Sequence, residues 1–236
     1  MKEIKAVFID IDNTLLDFDG YVIEAMKNGF LKYGIGEYKD GMSEVFQRVN
    51  NELWKSLEKG EIDFMTLRAI RWNKVFDILG LSFDGVEFEK YFRKYLHESA
   101  MTIEGAYELL SYLKREYIVC IASNGPHIQQ THRIELADMG KYIDYYFTSE
   151  KMGVSKPKEE YFKKCFNSLN ENRDIKILPE ETIMIGDSLT SDIYGAKEFG
   201  MRTILIERGN EVNKGYLNNA DYTVYNLLDI IKLLEE

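Results

Sequence analysis

Two hydrophobic periodicities alternate along the chain. Short apolar runs rich in β-branched and aromatic residues recur at 5–9, 117–123, 145–148, 182–185, 202–206 and 222–225, and their length and composition predict strands. Between and after most of them the spacing changes to three and four, predicting helices over 104–114, 127–139, 158–169, 192–199 and 227–234. Strand followed by helix, repeated, is the grammar of a parallel sheet covered on both faces. The expected fold class is therefore α/β, with a Rossmann-like parallel sheet at its core.

One interval breaks this alternation. After the first strand come four helical patterns in a row: Val22, Met26, Phe30 and Tyr33 before Gly34 and Gly36; Phe46, Val49, Leu53 and Leu57 before Gly60; Leu67, Ile70, Val75 and Ile78 before Gly80; and Phe88, Phe92 and Tyr95 before His97. This stretch reads as an inserted helical bundle over 17–100, leaving 1–16 and 101–236 to form the sheet domain. Trp54, Phe64, Trp72, Tyr91 and Tyr95 fall within it, and most of them are expected to fill its core. The polar stretch 167–176 reads as an exposed connection.

Charge narrows the range of partners. A formal net charge of −10 and a pI near 5.0, with Lys and Arg scattered among acids, argue against a nucleic-acid backbone or an anionic membrane. The chain runs from Met1 almost directly into its first strand, with no apolar segment suited to a signal peptide or a membrane span, so a cytoplasmic location is expected. Cys120 and Cys165 lie in separate apolar patterns without a Cys-x-x-Cys spacing and read as small core residues. His97, His127 and His132 show no metal-ligand spacing.

Chemistry gathers where the strands end. The first strand runs into Asp10-Ile-Asp12-Asn-Thr14; alternation would put both carboxylates on one side of an extended chain, where they call for a cation or a shared proton, although Asp-Asn-Thr is also ordinary turn chemistry. Ser123 and Asn124 precede Gly125-Pro126 and a helix, which suits either an anion site or a simple N-cap. Lys156 stands before Pro157, which is expected to open the next helix at its first turn, and Lys158 reads as a surface group. Asp187 follows Gly186 at another strand end, and Asp192 lies near the start of a helix, where the dipole favours an acid. Asp10 and Asp187 could ligate Mg²⁺ directly, with Asp192 holding one of its waters.

In order and placement these four stretches resemble the haloacid dehalogenase-like hydrolase superfamily, in its phosphatase branch with a helical cap after the first strand. Asp10-x-Asp12-x-Thr14, Ser123, Lys156 and Gly186-Asp187 with Asp192 match that family's four motifs, and the likeness spans nearly the whole chain. One departure is that Ile103-Glu104-Gly105 lacks the proline often found before that glycine. The resemblance implies that Asp10 is the nucleophile and Asp12 the general acid and base. It further implies that Mg²⁺ is held by Asp10, Asp187 and the Asp12 main-chain carbonyl with help from Asp192, and that Thr14, Ser123, Asn124 and Lys156 bind the phosphate.

The expected partner is a small phosphorylated metabolite. The Asn-Gly form of the second motif resembles the branch containing pyrimidine 5′-nucleotidases, which puts a nucleoside 5′-monophosphate first; a sugar phosphate or phosphoglycolate suits the same core. A 2-haloacid dehalogenase would use the same nucleophile without needing an acid at position 12, and Asp12 argues against it. A phosphomutase would share every catalytic residue. An interaction module that had kept only the fold would have no use for the full set of acids.

Overall fold

A computed structural model describes residues 3–208 and 218–235. Within it, six strands form one wholly parallel sheet in the order β3-β2-β1-β4-β5-β6: β1 (Ala6–Ile9), β2 (Ile118–Ser123), β3 (Tyr145–Thr148), β4 (Thr182–Gly186), β5 (Arg202–Ile206) and β6 (Tyr222–Val224). Every residue of β1 and β4 is buried, which is why these segments read as continuous apolar runs. Ile9 pairs with Ile121 on one side and Ile185 on the other. Strand order reverses between β1 and β4, so the crevice at their carboxyl ends is the topological switch point where ligands bind in open α/β sheets.

The chain divides into two compact units, one of residues 1–17 and 102–236, the other of 18–101. In the first, the helices after β1 are α5 (Ala106–Glu116), α6 (His127–Leu136), α7 (Ser149–Met152), α8 (Glu159–Asn170), α9 (Gly195–Glu198) and α10 (Leu228–Glu235). One face of the sheet is packed by α8: Phe8 stacks on Phe166 at 5.4 Å and on Phe147 at 5.7 Å, and Cys120 and Cys165 lie in the same cluster. The turn before α5 closes without a proline, through Ala106 N–H to the Ile103 carbonyl at 3.1 Å.

The second unit holds α1 (Phe18–Tyr33), α2 (Met42–Lys59), α3 (Phe64–Leu79) and α4 (Gly85–His97). Gly60 and Gly80 end α2 and α3 in the left-handed conformation, and Asp63 and Asp84 cap the starts of α3 and α4. Trp72 is fully buried against Phe46, Phe88 and Phe92, with ring centroids 4.4–5.1 Å away. Each such buried ring contributes on the order of 2–3 kcal/mol of apolar transfer. Trp54, Phe64, Tyr91 and Tyr95 are only half-buried around this core.

Several expectations need correction. Ile78 is 52% exposed, whereas Arg71 of the same helix is buried, because Glu89 and Asn50 supply it with partners inside the bundle. The connection predicted from 167 is shorter, since α8 continues to Asn170. The helix placed at 192–199 begins earlier: a π-helical turn, Leu189–Tyr194, runs into α9, and Asp192 lies in its first turn. Pro157 does not open α8, which starts at Glu159; it sits in a turn closed by Lys158 N–H to the Ser155 carbonyl at 3.1 Å, after a cis peptide bond.

Candidate active site

Asp10 is the first residue beyond β1, and its N–H extends the ladder to the Ile185 carbonyl at 3.0 Å. The chain then folds back sharply. Asn13 takes a left-handed conformation, which Asn tolerates better than most residues, and the N–H groups of Leu15 and Leu16 both return to the Ile11 carbonyl. Asp10 and Asp12 both precede that turn, and each carboxylate meets a buried cation of its own.

For Asp10 that cation is Lys156. Its ammonium is 1% exposed and donates to Asp10 Oδ1 at 2.8 Å, Asp192 Oδ1 at 2.7 Å and the Ala122 carbonyl at 2.5 Å. Burial alone would lower the lysine pKa, but the Asp10 and Asp192 carboxylates outweigh it and hold the pKa above the ordinary value. Burial pushes Asp10 up to about 7 against the pull of Lys156, and Asp192 and Asp12 add to the rise. A single ammonium cannot neutralise two buried acids, so the site retains excess negative charge.

Asn124 holds the lysine in place. Its side-chain amide pairs with the Lys156 main chain in both directions, Nδ2 to the carbonyl at 3.0 Å and Oδ1 from the N–H at 2.9 Å. The amide expected on the phosphate is thus engaged with the peptide that carries Lys156. Thr14 is fully buried and its hydroxyl has no hydrogen-bond partner. Ser123 Oγ, at the end of β2, accepts from Gly125 N–H at 3.1 Å and from Gln130 Nε2 at 2.8 Å.

Asp187 and Asp192 arrive from β4 and the π-helical turn. Carboxylate oxygens of Asp10, Asp187 and Asp192 all lie within 4.8 Å of one another, and all three residues are buried. Asp192 Oδ2 also accepts from Ser188 N–H at 3.0 Å, so both of its oxygens are already engaged. Gly186 permits this approach: a Cβ there would stand 2.3 Å from Asp192 Oδ2. Three hard oxygen donors carrying more charge than Lys156 offsets form a set that suits a divalent cation. The Asp12 carboxylate is not in this cluster.

Asp12 finds its partners on α6. Its Oδ1 accepts from Arg133 at 2.6 Å and its Oδ2 from Gln130 Nε2 at 2.8 Å. Neither α6 residue is among the candidates the sequence supplies. The buried positions of α6 are Gln130, Arg133 and Ile134, so an amide and a guanidinium occupy two of the three inward places where apolar residues belong.

The family model of the haloacid dehalogenase-like hydrolases matches residues 4–200, and this chain belongs to that family. Among its relatives, pyrimidine 5′-nucleotidase PynA of Streptococcus pneumoniae is 30% identical over 98% of this chain and 95% of its own length. Glyceraldehyde 3-phosphate phosphatase of Pyrococcus furiosus is 30% identical over 100% of this chain and 95% of its own. The crystal structure of the HAD-hydrolase YfnB from Bacillus subtilis, bound to magnesium, superposes with a TM-score of 0.86 at 27% identity, covering 100% of both chains. Among the described residues, no helix is long and apolar enough to cross a membrane.

Proposed function

We propose that this hydrolase is a Mg²⁺-dependent phosphatase that cleaves small phosphate monoesters through an aspartyl-phosphate on Asp10. The observation that carries the reading is the placement of Asp10: a buried carboxylate at the switch point of the sheet, paired with Lys156 and within 4.8 Å of two further acids. Asp10, Asp187 and the Asp12 main-chain carbonyl would hold the ion, with Asp192 behind them, and the bound ion would supply the positive charge that lets an anionic nucleophile meet an anionic phosphate.

In the first step an Asp10 oxygen bonds to phosphorus as the bond to the ester oxygen breaks, and Asp12 gives its proton to the departing alkoxide. In the second, the Asp12 carboxylate takes a proton from water. The water oxygen bonds to phosphorus, the bond to Asp10 breaks, and inorganic phosphate leaves. Lys156 keeps positive charge beside the transferring group throughout, and Ser123 would offer its hydroxyl there. Buried cations at both Asp10 and Asp12 favour this two-acid chemistry over halide displacement, which has no work for Asp12.

The relative named for pyrimidine nucleotides makes a nucleoside 5′-monophosphate the leading substrate. The relative named for glyceraldehyde 3-phosphate makes a triose phosphate the second choice. The test is phosphate release from uridine 5′-monophosphate, glyceraldehyde 3-phosphate, glycerol 3-phosphate and p-nitrophenyl phosphate, with and without Mg²⁺, beside a 2-haloacid control. Mg²⁺-dependent phosphate release is expected; halide release without metal would overturn the reading.

A further inference from the structure

We propose that Gln130 and Arg133 of α6 are positioning residues that hold the Asp12 carboxylate in the orientation from which it delivers its proton to the leaving oxygen. The inference rests on the phosphatase reading and goes beyond it by assigning a function to two residues outside the four motifs.

Both Asp12 oxygens are engaged by buried side chains. Gln130 is 0% and Arg133 2% exposed, so each has left water for this arrangement. Gln130 Nε2 carries two hydrogens and has two acceptors, Asp12 Oδ2 and Ser123 Oγ, both at 2.8 Å. Gln130 Oε1 in turn accepts from Arg133 at 3.0 Å, which fixes which end of the amide faces the acid. Arg133 donates to Asp12 Oδ1 at 2.6 Å, so the two Asp12 oxygens are each tied to a different residue one helical turn apart. A carboxylate bound through both oxygens cannot rotate about its last bond.

Two features show that the chain accommodates this clamp at a cost. Arg133 Nε is buried without a hydrogen-bond partner, so the guanidinium does not lie where its own donors would be best satisfied. Gly125 leaves the space that Gln130 crosses: a Cβ there would stand 2.6 Å from Gln130 Nε2 and 2.7 Å from its Cδ. A salt bridge that served stability alone would need neither the amide relay from Ser123 nor the vacancy at Gly125.

A leaving-group comparison separates positioning from mere support. p-Nitrophenolate departs without a proton, whereas the alkoxides of uridine 5′-monophosphate and glycerol 3-phosphate need one, so a misplaced general acid harms the alkyl esters selectively. Arg133→Met is expected to lower kcat/KM for the alkyl esters about 10- to 100-fold, within the range of general acid catalysis. For p-nitrophenyl phosphate the same variant should lose no more than about threefold. Gln130→Met should show the same selectivity to a smaller degree and keeps the test alive if Arg133→Met does not fold. Arg133→Lys, which keeps the charge but not the planar guanidinium whose Nη1 bonds both Asp12 and Gln130, should restore part of the alkyl-ester rate. Asp12→Asn sets the full size of the effect, and adding Arg133→Met to it should cause no further selective loss.

Equal losses on both ester types in the folded variants would overturn the assignment while leaving the phosphatase reading intact. A wild-type protein inactive on all the esters would overturn both.

Discussion

Lys156 Nζ lies 2.8 Å from Asp10 Oδ1 although 146 residues separate the two along the chain. Two strand ends and one turn produce this contact: β1 delivers the acid, β2 offers the Ala122 carbonyl as a third ligand for the ammonium, and Asn124 grips the lysine's own peptide. The pair is buried, so its energetics are those of the protein interior, where one missing partner leaves an uncompensated charge.

Lys156→Met should therefore act on both stability and rate. Leaving Asp10 and Asp192 buried together without their cation is expected to cost about 3–5 kcal/mol in metal-free protein. Phosphate release should fall at least about 100-fold. Thermal unfolding and initial rates check the two halves. Mg²⁺ should recover part of the stability but not the rate.

Gly186→Ala tests the acidic cluster without touching an acid. The added methyl would fall 2.3 Å from Asp192 Oδ2 and 2.7 Å from its Cβ, so the π-helical turn must shift. A loss of about 1–3 kcal/mol is expected from overpacking. The rise in melting temperature caused by Mg²⁺ should shrink with it. A variant that binds Mg²⁺ as the wild type does would show that the cluster is not the metal site.

The helical unit offers a pH test. Arg71 holds Glu89 through both carboxylate oxygens at 2.8 Å, yet burial outweighs the arginine and raises the Glu89 pKa above its ordinary 4.5. A raised carboxyl binds its proton more tightly when folded, so its stabilising contribution is full below 4.5 and is lost as pH rises through the folded value. Glu89→Gln removes that loss. The stability of Glu89→Gln relative to wild type should therefore increase from acid toward neutral pH, as read by urea unfolding; a relative stability that fell with pH would mean the ion pair lowers the pKa instead.

Neither cysteine should react in the native protein. Burial pushes Cys165 up to about 12, against the hydrogen bond from Tyr161 and the charge of Lys156, and burial likewise raises Cys120 well above the ordinary thiol. A chromogenic disulfide reagent at about pH 8, where an exposed thiol reacts readily, should modify neither group until urea is added, and then both.

Much of this arrangement is legible in the sequence, for physical reasons. The strands could be read because a fully buried parallel strand leaves no alternation, and the acids could be placed because each follows such a run directly, as Asp10 follows Ile9 and Asp187 follows Gly186. What could not be read depended on side-chain direction and on contacts distant in sequence. Asp12 finds Arg133 across 121 residues, a pairing no local period announces. The position of Asn124 in its motif is visible in the sequence, whereas its pairing with the Lys156 peptide is not.

The nucleophile assignment is tested most directly by an acid-quenched single turnover with phosphorus-labelled p-nitrophenyl phosphate and Mg²⁺, followed by mapping of the labelled peptide. The label is expected on the peptide containing Asp10 in the wild type, and both the label and phosphate release should vanish in folded Asp10→Asn. Undiminished phosphate release from Asp10→Asn would contradict the covalent mechanism and with it the role given to the Lys156–Asp10 pair.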